Sequence, residues 1–292
     1  MKLALHLRKI PANHQLPDIP GHLGACYDDD DPDLQFVREK VLPVERIYVG
    51  DEFCPIRLPA PNELARFCRF STERNIGLTL LVPVLTDAWL DHCTALFECL
   101  EKWCPEAEVV VNDIGTIFFL RKNHPVFRIS MGRLFNKGFK DPRLSSKNME
   151  VTPEINNLLS ESTFDHTTFQ HVMERLNVKR LERDLMPHSG RFSKSSPGYQ
   201  TSYYFPFGYI TTGRVCRTAT FDKKATHDFA MLSKCSKPCN ALSFRLKNDA
   251  VSLKLIQAGN TIFYLYSLKK LNGLLEKAAE EDCRLIYQGL AI

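Results

Sequence analysis

The chain has 292 residues, of which 44% are hydrophobic and 25% are charged, which is typical of a globular protein with a large core. Its formal net charge of +4 is too small to indicate a nucleic acid or a membrane surface as its partner. No run approaches the roughly 18 apolar residues of a membrane span, and the N-terminal MKLALHLRKIPAN is too short and too polar for a secretory signal. We therefore expect a cytoplasmic protein, whose ten cysteines are thiols, metal ligands or redox groups rather than structural disulfides.

Strand-like and helix-like segments alternate along the chain. Short apolar runs bounded by polar loops predict strands at 2–7, 45–51, 76–84, 107–113, 126–131, 178–185 and 283–289. Apolar residues at helical spacing predict helices at 33–41, 61–75, 86–104, 114–123, 167–177 and 267–282. Residues 200–212 are aromatic and β-like, with a break at Pro206, and 260–266 are β-like as well.

Repeated strand–helix units predict parallel strands with right-handed crossovers. About seven or eight such units in this length favour an α/β fold of the (β/α) TIM-barrel type, and no G-x-G-x-x-G follows the first strand to indicate a dinucleotide fold. We expect a single barrel-like domain over residues 1–292, made irregular by a long polar excursion around 132–165.

Three cysteines lie close together late in the chain, because eighteen residues separate Cys216 from Cys235 and three separate Cys235 from Cys239. Barrel chemistry lies at the carboxyl ends of strands, and both Cys216 and Cys54, in the loop GDEFCPIR, follow predicted strand ends. Four thiols on one face suit an iron–sulfur cluster or a structural zinc. The alternative is that the three late cysteines are free loop thiols. The cysteines predicted in helices are expected to pack as small hydrophobes: Cys68, Cys93, Cys99 and Cys104.

Three segments resemble the collagenase-like (U32) peptidase family. Asn112–Gly115 matches its N-D-x-G turn after a strand, and Gly213–Arg214 matches its G-R element before a late cysteine cluster. The segment YVGDEFCPIR resembles the Y-L-G-x-x-x-C-x-x-R segment of the short UbiU and UbiV iron–sulfur branch, although the gap from Cys216 to Cys235 is long for that pattern. The length of the chain, with no added C-terminal domain, is similar to that of the UbiV-like members.

This resemblance implies a [4Fe-4S] cluster bound by Cys54, Cys216, Cys235 and Cys239. It also implies an accessory or electron-transfer role in oxygen-independent hydroxylation during ubiquinone biosynthesis, with a UbiU-like second U32 protein as partner in a heterodimer. Hydroxylation of RNA bases is the alternative within the family. Basic and aromatic residues between 178 and 209 could bind single-stranded RNA, or the aromatic residues could fill a barrel strand.

Proteolysis has little support, because the chain has no H-E-x-x-H, no G-x-S-x-G and no Cys–His pair fixed by spacing. A zinc-stabilised binding protein remains open. Asp113 could orient substrate or act as a base, or cap a helix. Arg214, beside Cys216, could donate hydrogen bonds to cluster sulfurs, hold an anionic substrate or lie on the surface, and Arg57 has the same alternatives. Asp113 and Arg214 are the candidate catalytic residues.

Overall fold

Eight parallel strands close into a barrel in the computed structural model, which describes residues 1–13, 15–28, 30–40, 43–145, 152–159, 161–188, 198–220 and 235–290. Around the barrel the strands follow the order β1-β12-β7-β6-β5-β4-β3-β2, and each neighbouring pair is parallel. The barrel strands are β1 (Lys2–Leu7), β2 (Val44–Gly50), β3 (Gly77–Leu81), β4 (Glu108–Val111), β5 (Arg128–Met131), β6 (Arg180–Arg183), β7 (Gln200–Phe205) and β12 (Arg284–Gln288). The predicted TIM-barrel-like fold is confirmed.

Helices connect the strands, and most of the longer ones pack an apolar face on the outside of the barrel. Their bounds are α1 (Ile19–Gly24), α2 (Pro32–Glu39), α3 (Pro61–Glu73), α4 (Asp87–Trp103), α5 (Ile114–Asn123), α6 (Pro153–Leu159), α7 (Thr167–Arg175), α8 (Arg217–Thr220) and α9 (Leu268–Glu280). Proline stands in the first turn of α3, where its missing N–H costs no helix hydrogen bond. None of the helices in the described ranges combines the length and the apolar composition needed to cross a bilayer.

A second sheet is inserted between β7 and α9, and the sequence did not predict it as a separate layer. It has four antiparallel strands in the order β8-β11-β10-β9, namely β8 (Phe207–Thr212), β9 (Phe244–Leu246), β10 (Leu255–Ala258) and β11 (Thr261–Leu265). Pro206 separates β7 from β8. The break seen in the sequence is thus the passage from the barrel to the second sheet.

The second sheet packs against the carboxyl end of the barrel through an aromatic cluster. Phe53, in the loop after β2, lies with its ring centroid 5.2 Å from that of Tyr209 in β8 and 5.7 Å from that of Phe263 in β11. The loop that carries Cys54 is therefore fixed between the two sheets.

The polar excursion of 132–165 contains 3-10 turns at Arg133–Phe135, Pro142–Ser145 and Thr163–Asp165, together with α6, and no strand among its described residues. Residues 146–151 and 160 of this predicted segment lie outside the described residues. The acidic run of 28–31 contributes a helix cap, because Asp31 Oδ1 accepts a hydrogen bond from Asp33 N–H at the start of α2.

Candidate functional site

One carboxylate organises the loop that follows β2. Asp51 Oδ1 accepts hydrogen bonds from the backbone N–H groups of Phe53 (2.8 Å) and Cys54 (2.9 Å), and Oδ2 pairs with Arg57 Nη1 at 2.9 Å. Burial raises the pKa of Asp51, but Arg57 and the Phe53 N–H outweigh burial and hold that pKa below its ordinary value. Cys54 is therefore held in place at the carboxyl end of β2.

Cys216 lies where β8 leaves the second sheet. Its carbonyl accepts a hydrogen bond from Ala219 N–H at 3.1 Å, which begins the short helix α8. In the same turn Thr218 Oγ1 donates to the Gly259 carbonyl at 3.0 Å. This hydrogen bond connects the Cys216 segment to the turn between β10 and β11.

Cys235 and Cys239 lie on either side of a left-handed residue. Lys237 has a φ of 58° and precedes the 3-10 turn Pro238–Asn240. Its backbone N–H donates to Cys235 Sγ at 3.3 Å, and amide donors of this kind stabilise a thiolate. Arg8, after β1, donates from Nη1 to the Cys239 carbonyl at 3.4 Å, which ties this turn to the barrel.

All four of these cysteines line one cavity of about 590 Å³ at the carboxyl end of the barrel. The predicted convergence of Cys54 with Cys216, Cys235 and Cys239 is therefore seen in the structure as a shared cavity wall. Most of the cavity surface is apolar, and its apolar side chains include Phe53, Ile56, Val84, Trp89 and Leu134. Its charged side chains are Glu52, Arg57, Arg214 and Lys237.

Gly259 forms the part of the cavity wall nearest to Cys239. Its φ is +67°, a conformation that L side chains rarely adopt. A Cβ placed there would lie 3.6 Å from both Cβ and Sγ of Cys239 and 4.0 Å from Arg57 Nη1. Glycine therefore relieves backbone strain at a point where the main chain runs directly beside a thiol.

The four sulfurs share a cavity without meeting at one point. In the described part of the chain, no three His, Cys, Asp or Glu side chains are grouped so that they could hold a metal ion as they stand. A tetrahedral zinc site would need its thiolates roughly 3.8 Å apart, given Zn–S bonds of about 2.3 Å. In a cluster each cysteine binds a different iron, so the sulfurs stand farther apart.

Cys54, Cys216 and Cys239 are protonated at neutral pH when nothing is bound to them. Burial raises the pKa of Cys54 to about 12, and it also raises the pKa of Cys216 and of Cys239. Backbone N–H groups act in the opposite direction on Cys54 and Cys216. Binding of a metal or cluster would therefore release protons into solution.

Two buried arginines lie close to the thiols. Burial lowers the pKa of Arg57, but Asp51 and the neighbouring cysteines outweigh burial and raise it above its ordinary value. Burial, followed by repulsion from Arg57, lowers the pKa of Arg8 to about 10. Both side chains remain cationic at neutral pH and can offset the negative charge of thiolates.

A fully buried ionic network forms the layer of the barrel next to the cavity. Arg133 donates from Nη2 and Nε to Glu52 Oε2 at 2.6 and 2.9 Å, and from Nη1 to Asp184 Oδ1 at 2.9 Å. Lys140 Nζ lies 3.3 Å from Asp184 Oδ2 and 3.2 Å from the ring centroid of Tyr209. Burial lowers the pKa of Lys140 to about 8, although Asp184 opposes this shift.

Sequence analysis did not identify this network, although its residues follow a rule that could have found it. Glu52, Arg133, Asp184 and Gln288 all lie at or just after the carboxyl ends of barrel strands. Arg133 follows β5 and Asp184 follows β6. Both are charged residues just beyond strand ends, where the active sites of barrel enzymes lie. No local motif connects these residues, because each lies in a different loop of the barrel.

Asp113 lies outside the lining of the cysteine cavity and makes helix-cap contacts. Its Oδ1 accepts from Thr116 N–H at 2.7 Å, while Oδ2 accepts from Thr116 Oγ1 at 2.8 Å and from Leu85 N–H at 3.2 Å. Asn112 is buried and bridges the carbonyl of Val82 (2.9 Å) and the N–H of Leu134 (3.1 Å). Asp113 and Asn112 therefore hold neighbouring loops in place through hydrogen bonds. Arg214, by contrast, lines the cavity itself.

The basic and aromatic stretch of 178–209 is largely internal. The aromatic side chains that could have stacked on bases are buried: Tyr203, Tyr204, Phe205 and Phe207. Arg180 and Arg183 are buried as well, while Arg191 and Lys194 lie outside the described residues. Tyr199 is partly exposed, so the described part of this stretch presents one accessible ring beside four buried ones, whereas binding to a single strand uses a series of stacked rings.

No protein-family model matches the chain, and no curated protein matches it. Among solved structures, the spore cortex-lytic enzyme SleL of Bacillus megaterium QM B1551 is 9% identical over 100% of this chain and 71% of its own, with a TM-score of 0.37. SleL of Bacillus cereus is 8% identical over 99% of this chain and 71% of its own, with a TM-score of 0.39. A glycoside hydrolase family 18 N-acetylglucosaminidase from Paenibacillus barengoltzii is 8% identical over 98% of this chain and 94% of its own, with a TM-score of 0.31. Likenesses this weak carry no information about the activity of this chain.

Proposed function

We propose that this chain binds a [4Fe-4S] cluster through Cys54, Cys216, Cys235 and Cys239, and that it serves as an accessory or electron-transfer subunit in oxygen-independent hydroxylation. The observation that carries the proposal is the single cavity lined by four cysteines from separate loops. When bound, such a cluster supplies one-electron redox chemistry.

The residues around the cavity suit an anionic iron–sulfur group. Four thiolates bring negative charge into a partly buried space, and Arg57, Arg214 and Lys237 line that space. Backbone N–H groups point to the sulfurs of Cys54, Cys216 and Cys235, as the second shell of a metal–thiolate site requires.

Four cysteine ligands leave no iron open to substrate, which favours a role in electron transfer. The link to hydroxylation, to ubiquinone biosynthesis and to a UbiU-like partner comes from the resemblance of the Cys54 and Cys216 segments to the U32 family. A cysteine-protease mechanism at this cavity is disfavoured, because burial raises the pKa of Cys54 to about 12, whereas a nucleophilic cysteine needs a lowered pKa.

The cluster is tested by visible absorption with iron and sulfide assays on anaerobically purified protein. We expect a brown protein with about four irons per chain, and at least a several-fold loss of iron when any one of the four cysteines is changed to alanine. Cys26→Ala is the matched control, because Cys26 is partly exposed and lies outside the lining of this cavity. Colourless protein that contains zinc, or variants that keep their iron, would overturn the proposal.

The hydroxylation role is tested by deleting the gene and measuring quinones after growth without oxygen. We expect loss of ubiquinone and accumulation of a precursor that lacks a ring hydroxyl, with rescue by the wild-type gene and none by Cys216→Ala. Normal ubiquinone together with loss of a hydroxylated RNA base would favour the alternative within the family. Salt-dependent RNA binding by the purified protein would support that outcome.

A further inference from the structure

Three cysteines gather where α3 packs beside the end of α4, and none of them lines the cysteine cavity. Cys68 lies in α3 and is 1% exposed, while Cys104 follows the last residue of α4 and is partly exposed. Cys99 lies nearby in α4, where its Sγ donates to the Pro61 carbonyl at 3.1 Å. Cys104 precedes β4, so this group lies at the amino-terminal end of the barrel, opposite the cavity.

Cys104 Sγ packs against the turn of α3 that runs from Cys68 to Thr72. Ser71 Oγ lies 3.9 Å from Cys104 Sγ and donates to the Cys68 carbonyl at 2.8 Å. Thr72 Oγ1 donates to the same carbonyl at 3.0 Å. One buried cysteine and one partly exposed cysteine thus share Ser71 as a neighbour across two helices.

The pKa values of the two thiols shift in opposite directions. The hydrogen bond from Cys68 is the largest cause that lowers the pKa of Cys104, and with help from Ser71 and Thr72 it outweighs burial and brings that pKa to about 7. The same hydrogen bond, together with burial, raises the pKa of Cys68. Near neutral pH Cys104 is therefore partly ionised beside a protonated Cys68, and Cys104 is the partner that reaches solvent.

We propose that Cys104 and Cys68 form a reactive dithiol that reduces a peroxide, with Cys104 as the attacking sulfur and Cys68 as the resolving sulfur. Cys104 attacks one peroxide oxygen, so that an S–O bond forms as the O–O bond breaks. The products are a Cys104 sulfenic acid and, after protonation, one water or alcohol. Cys68 then attacks the sulfenic sulfur, which forms the S–S bond and releases water.

In total, two thiols are oxidised to one disulfide while one peroxide is reduced. The disulfide would join α3 to α4, and a thiol reductant would return it to the two free thiols by exchange. The site shares no residue with the proposed cluster site. The Cys68–Cys104 disulfide is therefore expected both in protein with iron in the cavity, where a cluster competes for the peroxide, and in protein from which the iron has been removed by chelation.

The test is peptide mapping of the anaerobically purified full chain after one equivalent of hydrogen peroxide, with free thiols blocked and no reductant present. We expect a peptide pair joined through Cys68 and Cys104. The rate at which it forms should rise with pH to a plateau with a midpoint near 7, against about 8.5 for an ordinary thiol.

Variants identify the role of each sulfur. Cys104→Ser should abolish both the disulfide and any sulfenic acid at this site. Cys68→Ala should abolish the disulfide while a sulfenic acid, trapped by dimedone, accumulates at Cys104. Cys99→Ser is the matched control within the same group and should leave the Cys68–Cys104 disulfide unchanged. A disulfide between Cys99 and Cys104, or a Cys104 that remains a thiol after peroxide treatment, would overturn the proposal.

Discussion

Glu182 is a carboxyl group buried inside the barrel with only part of its hydrogen-bonding capacity used. Its Oε1 accepts from Tyr48 Oη at 3.1 Å, while Oε2 has no hydrogen-bond partner among the described residues. Burial raises the pKa of Glu182 to about 7, although Arg284 and Arg180 oppose this shift. The folded protein therefore holds a proton that the unfolded chain has already lost between about pH 4.5 and pH 7.

We expect Glu182 to make the protein less stable as the pH rises through this window. The contribution is fully present below the unfolded pKa and is lost as the pH passes the folded pKa, for a total of about 3 kcal/mol. Glu182→Gln keeps a neutral side chain, so at pH 8 it should be more stable than wild type by up to about 3 kcal/mol, and near equal at pH 4.5. Urea unfolding at a series of pH values measures this difference.

The control for this prediction is Glu106→Gln, because the Glu106 side chain is 82% exposed. Its free energy of unfolding should follow the wild-type pH profile. Parallel profiles for Glu182→Gln and wild type would contradict the prediction.

Gly259 gives a prediction about the cavity wall. Gly259→Ala places a Cβ on a backbone with φ +67°, which costs roughly 1–2 kcal/mol. The added methyl would lie at van der Waals distance from the Cys239 thiol and take up cavity space beside it, so we expect lower iron content as well as lower stability. Gly198→Ala is the matched control, because Gly198 has φ +82° with no atom within 4 Å of an added Cβ. It should lose stability and keep its iron, and equal iron loss in both variants would contradict the prediction.

At the scale of secondary-structure elements, strand ends determine where the polar groups meet. Glu52, Arg133 and Asp184 follow β2, β5 and β6 respectively, and the parallel barrel brings these ends together. Tyr209 of the second sheet joins the network, since its N–H donates to Asp184 Oδ2 at 3.2 Å and its hydroxyl donates to the Arg133 carbonyl at 3.0 Å. The network thus fastens the antiparallel sheet to the barrel.

Arg133→Ala should destabilise the protein by about 3–5 kcal/mol, because it leaves the buried carboxylates of Glu52 and Asp184 without their main partner. The matched control is Arg128→Ala, which removes an arginine whose partner, Glu106, lies at 2.6 Å on an exposed surface. It should cost less than about 1 kcal/mol. Urea unfolding compares the two variants, and equal losses would show that the network contributes no more than a surface ion pair.

Patterns local in the chain predicted the barrel elements, whereas features that depend on distant contacts were missed. The period of apolar residues and the helix-start signals located β1 to β6 and α3 to α5 to within a few residues. The second sheet was missed because β9 and β10 are short, at Phe244–Leu246 and Leu255–Ala258, and become strands only because β10 pairs with β11 and β9 pairs with β10. The ionic network was missed because no local pattern indicates that Arg133 will meet Glu52.

At the scale of the whole molecule, the cysteine cavity joins the barrel to the second sheet. Cys54 follows a barrel strand, Cys216 follows β8, and Gly259 lies in the turn between β10 and β11. Strand-end reasoning predicted that Cys54 would approach the late cysteines, which are more than 160 residues away in the sequence. It could not predict the cavity walls, because Trp89 and Leu134 reach them from elements that carry none of the four cavity cysteines.

Because the cavity spans both sheets, a bound cluster should stabilise the whole molecule. A ligand present at about 100 times its Kd adds about 2.7 kcal/mol, which for a chain of this size is about 4 °C in Tm. We therefore expect Cys216→Ala to lower the Tm of anaerobically purified protein by at least this amount. After chelation, wild type and variant should unfold within about 2 °C of each other, because the thiol itself makes few other contacts. Calorimetry on both forms measures the two differences, and a Tm difference of the same size in the chelated proteins would assign the loss to packing at Cys216 rather than to the cluster.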